Sequence, residues 1–131
     1  VTVSGANMHV LGNVTWSSDA RLKDDIVDAS LQQIQEVFDS CAVRCYRRND
    51  IEKDKVRVGF VAQEMQAQLP QEFSNIVTTQ AYTDKDGQKT DMLGIDYARL
   101  TTILWGVCKN QQQQLAALTA RVTALETKKK K

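Results

Sequence analysis

The chain has 131 residues, of which 42% are hydrophobic and 25% are charged, and its formal net charge is +1. These values are ordinary for one soluble domain. A net charge so close to zero gives no general reason to expect nucleic acid as a partner. No apolar run approaches the roughly 20 residues of a membrane span, and no signal peptide pattern opens the sequence, so we expect no membrane partner.

The cysteine and histidine content argues against metal chemistry. The three cysteines are Cys41, Cys45 and Cys108, with no CxxC pair among them, and His9 is the only histidine. A zinc site needs thiolate or imidazole ligands at closer spacing, so we expect no metal and no other cofactor, and free thiols in a reducing compartment. One histidine also argues against a Ser-His-Asp triad, which uses an imidazole as its base.

The first sixteen residues have a β-like pattern. Short β-favouring runs at Val1–Val3, Met8–Leu11 and Val14–Trp16 are separated by glycine-containing turns, which predicts small strands. Sixteen such residues cannot bury a core alone. We therefore expect residues 1–17 to be the end of a longer, β-rich body, with a different domain beginning after Ser17.

The next eighty residues alternate between helical and strand-like patterns. Between Ile26 and Phe38, apolar residues at 31, 34, 37 and 38 mark one face of a helix whose N-cap would be Asp28 or Ser30. A second helix is predicted over residues 61–69, and Pro70 ends it. Strands are predicted over residues 41–47, 56–60, 76–82 and 92–95, with a loop at 49–55 and a hairpin turn at Asp86-Gly87.

The chain from Tyr97 onward reads as one long helix with a heptad pattern. Positions a are Cys108, Leu115 and Val122, and positions d are Leu104, Gln111, Leu118 and Leu125, which is typical of a coiled coil. Gln111 would cost stability there but can fix the register. The alternative is a helix packed on its own domain, although the polar run at 109–114 gives that helix little to pack with. The fold class is α+β: a small mixed domain at 18–96, a coiled-coil helix at 97–127 and a solvated basic tail at 128–131.

A hydroxyl and an amine lie five residues apart at Ser18 and Lys23. A Ser/Lys pair can replace the missing imidazole in nucleophilic catalysis. Lysine serves as a base only when its pKa falls from about 10.4 towards neutrality, and Arg21 is the nearest cation in sequence that could lower it. The alternative is a helix start, capped by Ser18 or Asp19, with Lys23 solvated. Backbone amides of a helix after Ser18 would be suitable oxyanion donors.

Three motifs carry a resemblance to a known family. Residues 18–26, Ser-Asp-Ala-Arg-Leu-Lys-Asp-Asp-Ile, resemble the S-D-x-R-L-K-x-x-I opening of the intramolecular chaperone domain of phage endosialidases, tailspikes and tail or neck fibres. Residues 59–64 are similar to its G-F-[IV]-A-Q-E motif, and residues 96–100 resemble its Y-x-x-L helix start before a coiled coil. The myelin regulatory factor family carries a similar self-cleaving module.

The resemblance implies a homotrimeric chaperone that helps three β-rich fibre or spike chains fold in register. It implies a single-turnover serine peptidase that cuts between Ser17 and Ser18, with Ser18 as nucleophile and Lys23 as base. Asp19, Arg21 and Glu64 are possible supporting residues, and the family motif leaves open whether Gln63 and Glu64 are catalytic or structural.

The partners implied are two further copies of the chain and its own upstream β-rich segment. The implied location is a virion appendage precursor that folds in the host cytoplasm, with the released domain absent from the mature virion. A histidine associated with the later part of this domain in some members has no counterpart after His9.

Two other functions remain possible from the sequence. The first is a non-enzymatic trimerisation or interaction domain in which the serine is only a cap. The second is a DNA-binding domain that uses Arg44, Arg47 and Arg48, which would require a strongly salt-dependent affinity for DNA.

Overall fold

The computed structural model describes residues 7–129 and has the predicted α+β class. Its helices and strands are α1 (Leu31–Ser40), β1 (Arg44–Arg47), β2 (Val56–Gly59), α2 (Ala62–Gln66), β3 (Val77–Thr83), β4 (Lys89–Ile95) and α3 (Tyr97–Lys129). Two 3₁₀ segments, Ala20–Leu22 and Gln71–Ile76, precede α1 and β3. No helix among residues 7–129 has both the length and the apolar content to cross a membrane.

The four strands form two separate antiparallel hairpins. Strand β1 pairs with β2, with Cys45 opposite Val58. Strand β3 pairs with β4 over seven residue pairs, with Val77 opposite Ile95 at one end and Thr83 opposite Lys89 at the other. The turn between β3 and β4 is closed by the Asp84 carboxylate, which accepts hydrogen bonds from the amides of residues 86 and 88. Gly87 completes it with a φ of 78°, a left-handed conformation that glycine adopts without a steric cost. The predicted Asp86-Gly87 hairpin is confirmed.

Helix α1 begins after Ser30, the later of its two predicted caps. Ser30 is its N-cap, and the Ser30 hydroxyl accepts a hydrogen bond from the Gln33 amide at 3.2 Å. Residues 26–30 lie in an irregular segment after Asp25, whose φ is 54°. Ile26 and Val27 are exposed, so no packing offsets the helix-disfavouring effect of their branched side chains.

The core lies between α1, α2, the β3–β4 hairpin and the first half of α3. Its buried members are Ile34, Met65, Ile76, Val77, Ile103 and Val107. Helices α1 and α3 approach most closely where Gly106 faces Ile34, since a Cβ at residue 106 would lie 2.7 Å from Ile34 Cδ1. The glycine therefore allows the two helices to pack in direct contact.

Helix α3 presents two different faces. Ile103, Gly106 and Val107 are buried against the domain, and Asn110 donates a hydrogen bond to the Gln35 side chain at 3.1 Å. The heptad leucines and valine beyond this point are 47% to 63% exposed: Leu115, Leu118, Val122 and Leu125. One long helix is confirmed, and its heptad face is distinct from the face that packs within the chain.

The strands predicted before Ser17 are wrong for the residues that the structure describes. Met8–Leu11 and Val14–Trp16 form no ladder, and their large side chains are exposed. A strand is stabilised by hydrogen bonds to a neighbouring strand and by a buried face, and residues 17–129 supply neither here. The predicted strand Val1–Val3 lies outside the described residues. Helix α2 is also shorter than the predicted 61–69: it ends at Gln66, and the Gln68 amide donates instead to the Met65 carbonyl at 2.9 Å in a turn.

Candidate active site

Ser18 and Lys23 are in direct contact. Lys23 Nζ donates a hydrogen bond to Ser18 Oγ at 2.6 Å. The single 3₁₀ turn Ala20–Leu22 produces this contact, since the Lys23 amide donates to the Ala20 carbonyl at 3.1 Å and so returns the chain towards Ser18. The Ser-x4-Lys spacing thus forms a pair within one chain through local structure alone.

Asp19 and Arg21 hold that turn in shape. Asp19 is its N-cap, and Asp19 Oδ1 accepts a hydrogen bond from the Arg21 amide at 2.8 Å. The Arg21 guanidinium binds both oxygens of the same carboxylate at 3.0 and 2.9 Å. Its hydrogen bonds lower the pKa of Asp19, and Asp19 raises the pKa of Arg21. The capping role therefore belongs to Asp19, and the Ser18 hydroxyl is left to contact Lys23.

The Ser17–Ser18 bond lies beside the first turn of α3. Trp16, Ser17 and Ser18 form one wall of a pocket of about 230 Å³. The opposite wall is formed by Asp96, Ala98, Arg99 and Thr102. Sequence reasoning did not name these four residues as site residues, although the motif at residues 96–100 contains three of them.

The carboxylate of Asp96 fixes the start of this helix. Asp96 Oδ1 accepts from the Arg99 amide at 3.1 Å, and Oδ2 pairs with Arg99 Nε at 3.0 Å. The Asp96 amide in turn donates to the Ile76 carbonyl at 2.8 Å. The helix start beside the Ser17–Ser18 bond is therefore anchored on both its side-chain and main-chain atoms.

Glu64 lies against Arg44 and makes no described contact with Ser18 or Lys23. The Arg44 guanidinium binds both Glu64 oxygens, at 3.1 and 2.7 Å, and joins β1 to α2. The hydrogen bonds from Arg44 lower the pKa of Glu64, which favours the ionised carboxylate. Gln63 is exposed on the same helix. The geometry gives Glu64 a structural contact between β1 and α2.

Gly59, in the motif at residues 59–64, makes room for Tyr97, in the motif at residues 96–100. A Cβ at Gly59 would lie 2.7 Å from the Tyr97 hydroxyl oxygen and 3.0 Å from that of Tyr46. The Phe60 amide donates to the Tyr97 hydroxyl at 3.1 Å, and the two rings lie with centroids 6.2 Å apart. These contacts attach the first residue of α3 to the end of β2, and so position the turn that faces the Ser17–Ser18 bond.

The arginine cluster is largely paired within the chain. Arg44 binds Glu64, and Arg48 forms an ion pair with Asp50. Phosphate binding depends on cations that are available to replace counterions, so these pairs argue against a nucleic-acid surface. Cys41, Cys45 and Cys108 are all free thiols, and no group of three metal-ligating side chains comes together within residues 7–129.

Comparison with known proteins gives one family match, over the first part of the domain. No curated protein matches the chain. The family model of peptidase S74, described as the chaperone of endosialidase, matches residues 18–74. The match begins at Ser18 and contains both the Ser18–Lys23 pair and the motif at residues 59–64. The match supports, for residues 18–74, the resemblance to the chaperone-of-endosialidase family that the motifs predicted.

Proposed function

We propose that this chain is an intramolecular chaperone that assembles as a homotrimer and then releases itself by cutting the Ser17–Ser18 bond. The observation that carries the proposal is the 2.6 Å contact between Lys23 Nζ and Ser18 Oγ. It lies at the start of a segment that matches a chaperone and peptidase family. Residues 1–17 would remain with a β-rich fibre or spike, and the freed domain would be absent from the mature virion appendage after folding in the host cytoplasm.

The proposed chemistry is an acyl shift followed by hydrolysis. Neutral Lys23 takes the proton of Ser18 Oγ, which attacks the carbonyl carbon of Ser17. The carbon–nitrogen bond breaks, the proton passes from Lys23 to the released amine of Ser18, and an ester joins the Ser17 carbonyl to Ser18 Oγ. Water then hydrolyses the ester. Hydroxylamine would trap that ester as a hydroxamate on Ser17, whereas direct hydrolysis or attack by a hydroxyl of another chain would leave no such adduct.

Assembly would supply the environment that this chemistry needs. Ser18 and Lys23 are exposed in the single chain, and water stabilises the charged form of an amine, which cannot act as a base. Burial favours the neutral amine. We propose that neighbouring copies cover the pair in the trimer, so that cleavage occurs only after correct assembly.

The exposed heptad face of α3 supports the trimer. A parallel coiled coil through Leu115, Leu118, Val122 and Leu125 would bury side chains that a single chain leaves in water. It would raise the local concentration of the three upstream segments. Their pairing between chains is otherwise slow, because the entropic cost of bringing distant segments together is met before the stabilising contacts form. Loss of the chaperone after folding then makes the fibre kinetically stable.

Intact-mass measurement during expression tests the cleavage. We expect the unchanged chain to give two products divided between Ser17 and Ser18, and Ser18→Ala to stay full length and trimeric. Lys23→Met, which keeps the length of the side chain without its amine, should also stay full length. Ser17→Ala is the matched control and should still be cut. Cleavage in the Ser18→Ala variant would exclude Ser18 as nucleophile.

A non-enzymatic trimerisation domain is the second candidate function. The observation that favours it is the exposure of both Ser18 and Lys23, since a solvated lysine is a poor base. An unchanged chain that remains full length as a stable trimer would support this second function over the first.

A further inference from the structure

An apolar pocket lies where α1, α2 and α3 meet, and the proposed cleavage does not use it. Its volume is about 220 Å³, and its lining includes Phe38, Cys41, Met65, Leu100 and Leu104. Phe38 and Leu104 are 46% and 54% exposed. The pocket therefore exposes apolar side chains that form part of the domain surface.

The indole of Trp105 is a second exposed apolar group on the same helix. It is 71% exposed and lies in a shallow apolar groove along α3 with Thr101, Leu104 and Cys108. Tryptophan is enriched among the residues that dominate protein interfaces, because one rigid side chain buries a large area. Leu104 borders both the pocket and this groove, which lie on opposite flanks of the heptad face.

The heptad register places the apolar pocket of one copy near Trp105 of the adjacent copy in a trimer. With Leu104 at d and Cys108 at a, Leu100 falls at g and Trp105 at e. A closed homotrimer has three-fold symmetry, so its helices are parallel and in register. In a parallel coiled coil, a g residue lies beside the e residue five positions later on the adjacent helix. Leu100, in the wall of the pocket, therefore lies beside Trp105 of the neighbouring copy.

We propose that Trp105 of each copy inserts into this apolar pocket of the next copy around the trimer. The inference rests on the proposed trimer and adds a contact between the globular domains that the heptads alone do not supply. An apolar cavity of about 150 Å³ holds a benzene ring, so a pocket of about 220 Å³ has room for an indole. The indole would cover Phe38 and Leu104 of the neighbour.

This contact also selects a closed ring. The inserting side chain and the receiving pocket are different surfaces of one chain. Such a heterologous contact gives a ring or an open filament instead of a two-fold pair, and the three-fold coiled coil closes it as a ring. The apolar heptads are few, so a coiled coil of this length is marginal by itself. The inserted indole connects the coiled coil to α1 and α2 of the next copy. Because the pocket exists only when the domain is folded, the contact couples trimer formation to folding of the domain.

A single-tryptophan protein tests the insertion. Trp16→Phe leaves Trp105 as the only tryptophan, and Ser18→Ala keeps the full chain intact. Sedimentation equilibrium gives the trimer fraction, while indole emission and acrylamide quenching are followed over the same concentrations. We expect the emission to shift to shorter wavelength and the quenching constant to fall several-fold as the trimer forms. In the same background, Trp105→Ala should weaken trimerisation by at least about thirtyfold, the effect of losing one hot-spot residue.

A relocated indole provides the matched control. Trp105→Phe combined with Gln113→Trp moves the tryptophan to the outward position f of α3, where it should stay as quenchable in the trimer as in the monomer. Replacing Trp105 by the photo-crosslinker p-benzoylphenylalanine should join it to the peptide of another copy that contains Phe38 or Met65.

The outcomes separate this inference from the proposed trimer. A trimer in which Trp105 remains as quenchable as the relocated indole overturns the insertion and leaves the trimer standing. Cross-links that map only to α3 of another copy do the same. A chain that is monomeric at every concentration overturns both the insertion and the trimer.

Discussion

Replacing Gly59 by alanine should loosen the start of α3 and slow cleavage. The added Cβ would lie 2.7 Å from the Tyr97 hydroxyl and 3.0 Å from the Tyr46 hydroxyl, closer than side-chain atoms pack. Tyr97 must move, and the hydrogen bond that its hydroxyl accepts from the Phe60 amide at 3.1 Å is lost. Since Tyr97 lies between Asp96 and Ala98, the wall of the pocket at the Ser17–Ser18 bond moves with it.

The magnitude follows from three contributions. Overpacking a close contact costs about 1–3 kcal/mol, and the loss of one neutral hydrogen bond costs about 1 kcal/mol. The substitution also removes backbone freedom from the unfolded chain, which stabilises the protein by about 0.4–1 kcal/mol. The free energy of unfolding should therefore fall by about 2 kcal/mol.

Urea unfolding followed by circular dichroism measures this change, at one fixed protein concentration and in the Ser18→Ala background. Tyr97→Phe is the matched variant: it removes the oxygen that the new Cβ would meet, and alone it should cost about 1 kcal/mol. Gly59→Ala should cost at least about 0.5 kcal/mol less with Tyr97→Phe than without it, because the two residues are in contact. Strictly additive effects, or an unchanged unfolding free energy in Gly59→Ala alone, would refute this account of the glycine.

Three further predictions concern other parts of the fold. Glu64→Gln should leave cleavage intact. Arg44 lowers the folded-state pKa of Glu64, so any stability that this variant loses should be seen above the unfolded carboxyl pKa and should vanish as the pH falls through the folded pKa. Urea titrations at several pH values check the sign. Gly106→Ala should destabilise the protein by about 1–2 kcal/mol through Ile34, and Ile34→Val should relieve part of that cost in the double variant. Leu118→Asp should abolish the trimer in sedimentation experiments while the circular dichroism of the domain persists, since Leu118 is exposed in the single chain.

The features that sequence predicted well are those set by local chemistry. The Ser18–Lys23 contact needs only one turn capped by Asp19; the spacing left a solvated Lys23 as an alternative, and the resemblance of residues 18–26 favoured the pair. The Asp86-Gly87 hairpin needs only a glycine with positive φ. The sequence leaves the cap of α1 open between Asp28 and Ser30, because periodicity cannot show that Ile26 and Val27 face no core. The strands predicted before Ser17 are absent for a similar reason: a strand depends on a neighbouring strand, and no strand within residues 7–129 pairs with this segment.

The wall of the candidate site could not be predicted from spacing. Asp96, Arg99 and Thr102 lie some eighty residues from Ser18 in the sequence, and the packing of β2 against Tyr97 brings the start of α3 to this position. The motif at residues 96–100 marked this segment as important but gave no indication that it faces the Ser17–Ser18 bond.

The position of the Ser17–Ser18 bond bears on what happens once that bond is cut. Hydrolysis would create an α-amine on Ser18, which is largely protonated near neutral pH because its usual pKa is about 7.7–8.0. That new cation would stand beside the amine of Lys23, which already contacts the Ser18 side chain. The new carboxylate on Ser17 would lie in the pocket whose other wall carries the Asp96 carboxylate, which already pairs with Arg99 at the start of α3. Two carboxylates would then share one pocket, and their repulsion would favour departure of the fibre end and oppose rejoining of the bond.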